Sequence, residues 1–110
     1  MSDFSPGDII VANVPNDEDP THFKVRPSMV ISKLDEHHYS IAKITKTNRV
    51  GELKGEWIDK NSKEFISMGL TFPSFIRLEN IISIPKSLIR GSRIGVYPDI
   101  ENLLRIHKLK

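Results

Sequence analysis

The chain has 110 residues, 38% of them apolar and 27% charged, with a formal net charge of +2. That balance predicts a single soluble globular domain over 1–110 with one modest core, and it excludes a disordered chain. Cysteine is absent, which excludes a disulfide framework and a thiolate metal site and suits a reducing cytoplasm.

The N-terminal MSDFSPGD has neither the basic nor the apolar region of a signal peptide. No apolar run reaches the length of a membrane span, so a cytoplasmic protein with no membrane partner is expected. Charge is unevenly spread. Asp3, Asp8, Asp17, Glu18 and Asp19 fall in residues 1–20, which hold no lysine or arginine. Lys86, Arg90, Arg93, Arg105, Lys108 and Lys110 face only Asp99 and Glu101 from residue 86 onward. Such a basic end either attracts an anionic partner or is a solvated surface.

Pro6-Gly7 marks a turn, and DIIVANV (8–14) follows as a buried strand. The acidic, proline-bearing segment 15–24 is a loop. PSMVIS (27–32) is a second strand, LDEHHY (34–39) a polar connection and SIAKITKT (40–47) a third strand. Residues 48–55 carry two glycines and read as a loop, and EWI (56–58) as a short strand. NSKEFISMG (61–69) has the marks of a two-turn helix: Asn61 as N-cap, Glu64 completing a capping box, Gly69 closing the end. SFIRLENIISI (74–84) is the longest expected strand. PDIENLLRIHKLK (98–110) is expected to be a terminal helix, with Pro98 at the first helical position and Ile100, Leu103, Leu104 and His107 on one face. Short strands at close spacing predict a mainly β fold with some α: a small, bent antiparallel barrel, one short helix and a C-terminal helix.

Residues two apart on a strand share a face. This puts Arg77 and Glu79 beside Phe75 on one face of 74–80, and Lys43, Thr45 and Thr47 beside Ile41 on one face of 40–47. A solvated outer face would make Arg77 and Glu79 a surface ion pair contributing ~0–1 kcal/mol. Arg26 stands before Pro27, which biases its backbone toward extended conformations. A planar guanidinium so held suits bidentate recognition of a phosphate. His22 and Lys24 lie in the loop leading to it. No histidine pair or carboxylate cluster has metal-ligand spacing, so neither metal nor cofactor is expected.

The order GDIIVANV, a loop, RPSMVIS, IAKIT, PSFIRLENIISIPKSLI and a closing helix resembles the MazF/PemK toxin endoribonucleases of type II toxin–antitoxin systems, including their Kid-like branch. The resemblance implies an SH3-like bent antiparallel barrel of the CcdB/MazF/PemK kind and a homodimer. It further implies metal-independent, sequence-selective cleavage of single-stranded RNA (an mRNA interferase, a hydrolase that arrests growth) and inhibition by an acidic antitoxin. Residue by residue, Arg26 matches the family arginine before proline, and Thr45 a threonine ending the third strand. Arg77 and Glu79 match an Arg-x-Asp pair, with glutamate for aspartate, and His22 a loop histidine. The catalytic set so implied is Arg26, Thr45, Arg77 and Glu79, with His22, Lys24, Lys43 and Thr47 as RNA contacts. The loop THFKV before Arg-Pro is shorter than the family's usual Glu-Gln-x-Gly-x segment. The competing reading is a non-catalytic barrel that binds nucleic acid or protein, including an inactivated or gyrase-directed toxin.

Overall fold

The computed structural model describes residues 3–16 and 18–109. Seven strands follow in order: β1 (Asp8–Pro15), β2 (Phe23–Asp35), β3 (His38–Thr45), β4 (Gly55–Ile58), β5 (Ser74–Arg77), β6 (Ile82–Pro85) and β7 (Ile89–Val96). Two short helices, α1 (Lys63–Ser67) and α2 (Ile100–Ile106), and a 3-10 turn at Lys86–Leu88 complete the fold. The strands form one antiparallel sheet in the order β4-β5-β3-β2-β1-β7, with β6 on β3 beyond β5. Among the described residues β4 and β7 do not pair, so the sheet stays open where a closed barrel was expected. Among the described residues no helix is long and apolar enough to cross a membrane.

β2 and β3 extend well into the expected polar connection, leaving only Glu36 and His37 to turn the hairpin. The Asp35 carboxylate makes this possible by accepting the His37 N–H at 2.7 Å, the local bond for which Asp is favoured in turns. That bond, then the His38 ring, holds the Asp35 carboxyl below its ordinary value.

The expected long strand over 74–84 is instead two strands lying end to end along β3. β5 pairs with Ile44 and Thr45, and β6 with His38–Ile41. Between them the backbone leaves β3, and the N–H groups of Leu78 and Glu79 both donate to the Lys54 carbonyl at 2.9 Å. Asn80 then turns in the left-handed region, φ 57°, which Asn tolerates better than most residues. β7 was not anticipated. Its glycines and arginines hide a strand that pairs with β1 across a bulge between Ile9 and Val11.

Both helix starts differ from expectation. Ser62, not Asn61, is the N-cap of α1, and it makes no side-chain cap bond. Asp59 organises the approach instead, accepting from Asn61 N–H at 2.9 Å and Ser62 Oγ at 3.3 Å. Gly69 does end α1, at φ 70°; a Cβ there would come within 2.3 Å of the Ile94 carbonyl, so space as well as conformation requires glycine. α2 begins one residue after Asp99, whose carboxylate accepts from Asn102 N–H at 3.3 Å, leaving Pro98 outside the helix. Its Ile100, Leu103 and Leu104 are buried as their spacing predicted.

The alternation of strand side chains builds two cores, one on each face of the sheet. Ile9, Met29, Ala42, Ile44 and Ile76 face α2 residues Leu103 and Leu104 on the first face. Ile10, Ala12, Val14, Val30, Tyr39 and Ile41 pack with Phe4 and Ile84 on the second. This double burial explains why DIIVANV reads as a continuous apolar run and not as an alternation. It also corrects the expectation that β3 keeps one face polar throughout: Ile41, Ala42, Lys43 and Ile44 are all buried.

Candidate functional site

The second face changes character partway along its strands. In register, Val30 sits opposite Ile41 within the core, and Ser28 opposite Lys43 at its border. Arg26 and Lys24 follow on β2, opposite Ala12 and Val14 of β1. By the two-residue repeat Thr45 shares this face on β3, where it pairs with Phe75 of β5; Arg77 is the next residue of β5 on the same side. Three adjacent strands therefore bring Arg26, Thr45 and Arg77 to one side of the sheet.

These residues line a groove of about 900 Å³. Its walls are Asn16 and Glu18, the start of β2, the β3 end with residues 46–49, and the 70–77 segment. Phe75, fully buried, forms part of the floor. Gly55, opposite Arg77, must be glycine, since a Cβ there would lie 2.3 Å from the end of the Phe75 ring. Five cations line the groove, Lys24, Arg26, Lys46, Arg49 and Arg77, against one carboxylate among the described residues, Glu18. A concave surface with that imbalance concentrates anions, and the arginines can hold phosphate oxygens in pairs.

Lys24, Thr47, Arg26, Thr45 and Arg77 thus come together as a single lining, and three expected site residues do not join them. Lys43 is buried, and its Nζ donates to the Pro15 carbonyl at 3.4 Å. His22 is exposed, its carbonyl accepting the Asn16 N–H and its Nδ1 engaged with Asp19. The bond from the Thr21 hydroxyl, then that to His22, holds the Asp19 carboxyl below its ordinary value. Glu79 is exposed where the chain leaves β3, and its Oε1 accepts the Lys54 N–H at 2.9 Å. The bend after β5 takes it out of the groove lining, which two-residue alternation could not foresee.

The sequence reading overlooked Lys46, Arg49 and Phe72. The signal for the first two was the cation-rich KITKTNR, three cations in seven residues, set aside because only strand alternation was applied to it. Phe72 gave no signal, for it precedes β5 in the short TFPS segment. It is 55% exposed, and the Lys46 Nζ stands 4.4 Å from its ring centroid.

Among the described residues no three His, Cys, Asp or Glu side chains cluster as metal ligands. Chemically, the groove gathers positive charge, with a hydroxyl and an aromatic ring beside it. Compared with models of known protein families the chain matches none, and no curated protein matches it.

Proposed function

We propose that this protein is a toxin endoribonuclease of the MazF/PemK kind, binding single-stranded RNA in the cationic groove and cutting it without a metal. The observation that carries the reading is the convergence of Arg26, Thr45 and Arg77 on one face of β2, β3 and β5, in one groove. The likeness of order along the chain, from Gly7 to the terminal helix, supplies the reaction. The same likeness suggests an SH3-like fold and a cytoplasmic homodimer held inactive by an acidic antitoxin, whose charge suits the groove.

In such a reaction the ribose 2′-oxygen attacks the adjacent phosphorus, and the P–O5′ bond breaks. The products are a 2′,3′-cyclic phosphate and a 5′-hydroxyl end. Arg26 and Arg77 stabilise the charge that gathers on the phosphorane oxygens, and Thr45 positions the nucleotide. Preorganised donors of this type contribute about 10²–10³-fold. A base must take the 2′-proton, which typically contributes ~10²–10⁴-fold. Glu79 is the base that the resemblance implies.

The position of Glu79 favours a second reading, a binding protein without catalysis. Its carboxylate is tied to the Lys54 N–H outside the groove lining. The two readings separate in one experiment: incubation with a long unstructured RNA in EDTA, for the wild type and Glu79→Gln, with mapping of the cut ends. Discrete cuts bearing cyclic phosphate support the ribonuclease, and their loss in Glu79→Gln gives that residue the base role. RNA that is bound but uncut supports the binding protein. RNA neither bound nor cut overturns both.

A further inference from the structure

We propose that Phe72 is a stacking platform for an unpaired nucleobase, with Lys46 beside it to hold the neighbouring phosphate. This rests on the reading of the groove as an RNA site and names the feature of RNA that the groove takes. Phe72 leaves more than half its surface to solvent although it is a large apolar side chain, and its location distinguishes it from other exposed rings. Phe23 is just as exposed at 53% but does not line the groove, whereas Phe72 does.

The ring also stands on a fixed base. Pro73 restricts the Phe72 backbone toward extended conformations, and the Phe72 carbonyl accepts the Ser74 hydroxyl at 2.8 Å. Ser74 is itself buried at the start of β5. Little ordering is then required when a base arrives, which is what preorganisation gains in binding.

Lys46 gives the platform its second component. Its ammonium lies over one face of the ring at 4.4 Å, so a base that stacks on that face displaces the ammonium toward the neighbouring phosphate. A single-stranded polyanion pairs these two groups naturally: the base stacks on the ring and the phosphate meets the ammonium. A duplex cannot do so, because its base faces are already stacked on one another. Stacking reads a π-surface and not a hydrogen-bond edge, so Phe72 contributes affinity for unpaired strands with little sequence preference.

The test uses fluorescence anisotropy with a 2′-O-methyl oligonucleotide, which has no free 2′-hydroxyl to react, and an abasic sugar–phosphate strand of equal length. Wild type, Phe72→Ala, Phe72→Leu and Phe72→Trp are compared on both. Phe72→Ala and Phe72→Leu are expected to bind the oligonucleotide about tenfold or more weakly, with Phe72→Trp near wild type and no difference on the abasic strand. Equal losses on both strands would assign Phe72 to positioning Lys46 and overturn the platform. Unchanged binding in Phe72→Ala, with the wild type binding well, overturns the platform and leaves the groove reading intact. A wild type that binds neither strand overturns both.

Discussion

The two halves of the second sheet face start from the same strands and end as different materials. At one end Val30, Tyr39 and Ile41 are sealed under Phe4 and Ile84. At the other, Arg26, Thr45 and Arg77 line an open groove. The cover makes the difference. β6 pairs alongside the His38–Ile41 half of β3 and brings Ile82 and Ile84 with it, whereas β5 on the other half brings Phe75 and Arg77. The bend at Leu78–Asn80 that divides these two strands is therefore also the border between core and site.

The comparison breaks most visibly at its apolar end. Ile41→Ala removes a fully buried side chain, and large-to-small core changes of this kind cost about 2–5 kcal/mol. Urea unfolding is expected to show that loss while RNA affinity of the folded fraction stays near wild type. A parallel fall in affinity would mean that the halves are coupled. Arg26→Ala is the mirror experiment. On the proposed ribonuclease reading, cleavage is expected to fall about 10²–10³-fold with the urea midpoint little changed, because Arg26 is only half-buried at the groove wall. A midpoint that drops as far as that of Ile41→Ala would place Arg26 in the core.

The sequence made the apolar half more legible than the cationic half. Turn signals and apolar, β-branched runs located β1, β2 and β3 because they are properties of each segment alone. Alternation put Thr45 and Arg77 on faces that line the groove, since each lies within a regular strand, whereas Arg26 is marked by the proline after it. Glu79 failed the same rule because Lys54 draws the backbone away two residues after Arg77. Lys43 failed for another reason: its side chain is on the groove side of β3 but turns to Pro15. β7 escaped notice since its glycines and arginines carry no strand pattern, and only its partner β1 makes it a strand. The helix starts were missed by one residue at α1 and by two at α2, as local hydrogen bonds to Asp59 and Asp99 decide the start.

The first face offers a control that leaves the groove untouched. Tyr97 packs half-buried against the first core. Burial, then the carboxylates of Glu56, Glu64 and Asp99, pushes its hydroxyl up to about 12. A raised folded value means that the folded chain retains a proton the unfolded chain gives up. The stability this contributes is intact below the ordinary value near 10 and is lost as pH rises through about 12. Thermal unfolding across that window is expected to show a steeper alkaline loss in wild type than in Tyr97→Phe. Identical slopes would mean that Tyr97 is ionised as easily in the folded chain as in the unfolded one.

The finest test compares two buried hydroxyls, one in each half of the second face. Tyr39 Oη accepts the buried Phe4 N–H at 3.2 Å. Tyr39→Phe leaves that donor unsatisfied, and a loss of about 1–3 kcal/mol is expected. Ser28 is equally buried at the border of the groove, and its Oγ has no hydrogen-bond partner among the described residues. Deleting it removes a desolvated polar group and no bond, so Ser28→Ala is expected to be neutral or slightly stabilising in urea unfolding. The two deletions should therefore differ in effect although both remove one oxygen from the same sheet face. If Ser28→Ala instead destabilises as much as Tyr39→Phe, its hydroxyl is bonded in solution, and the groove's polar character reaches further under the sheet than its lining does.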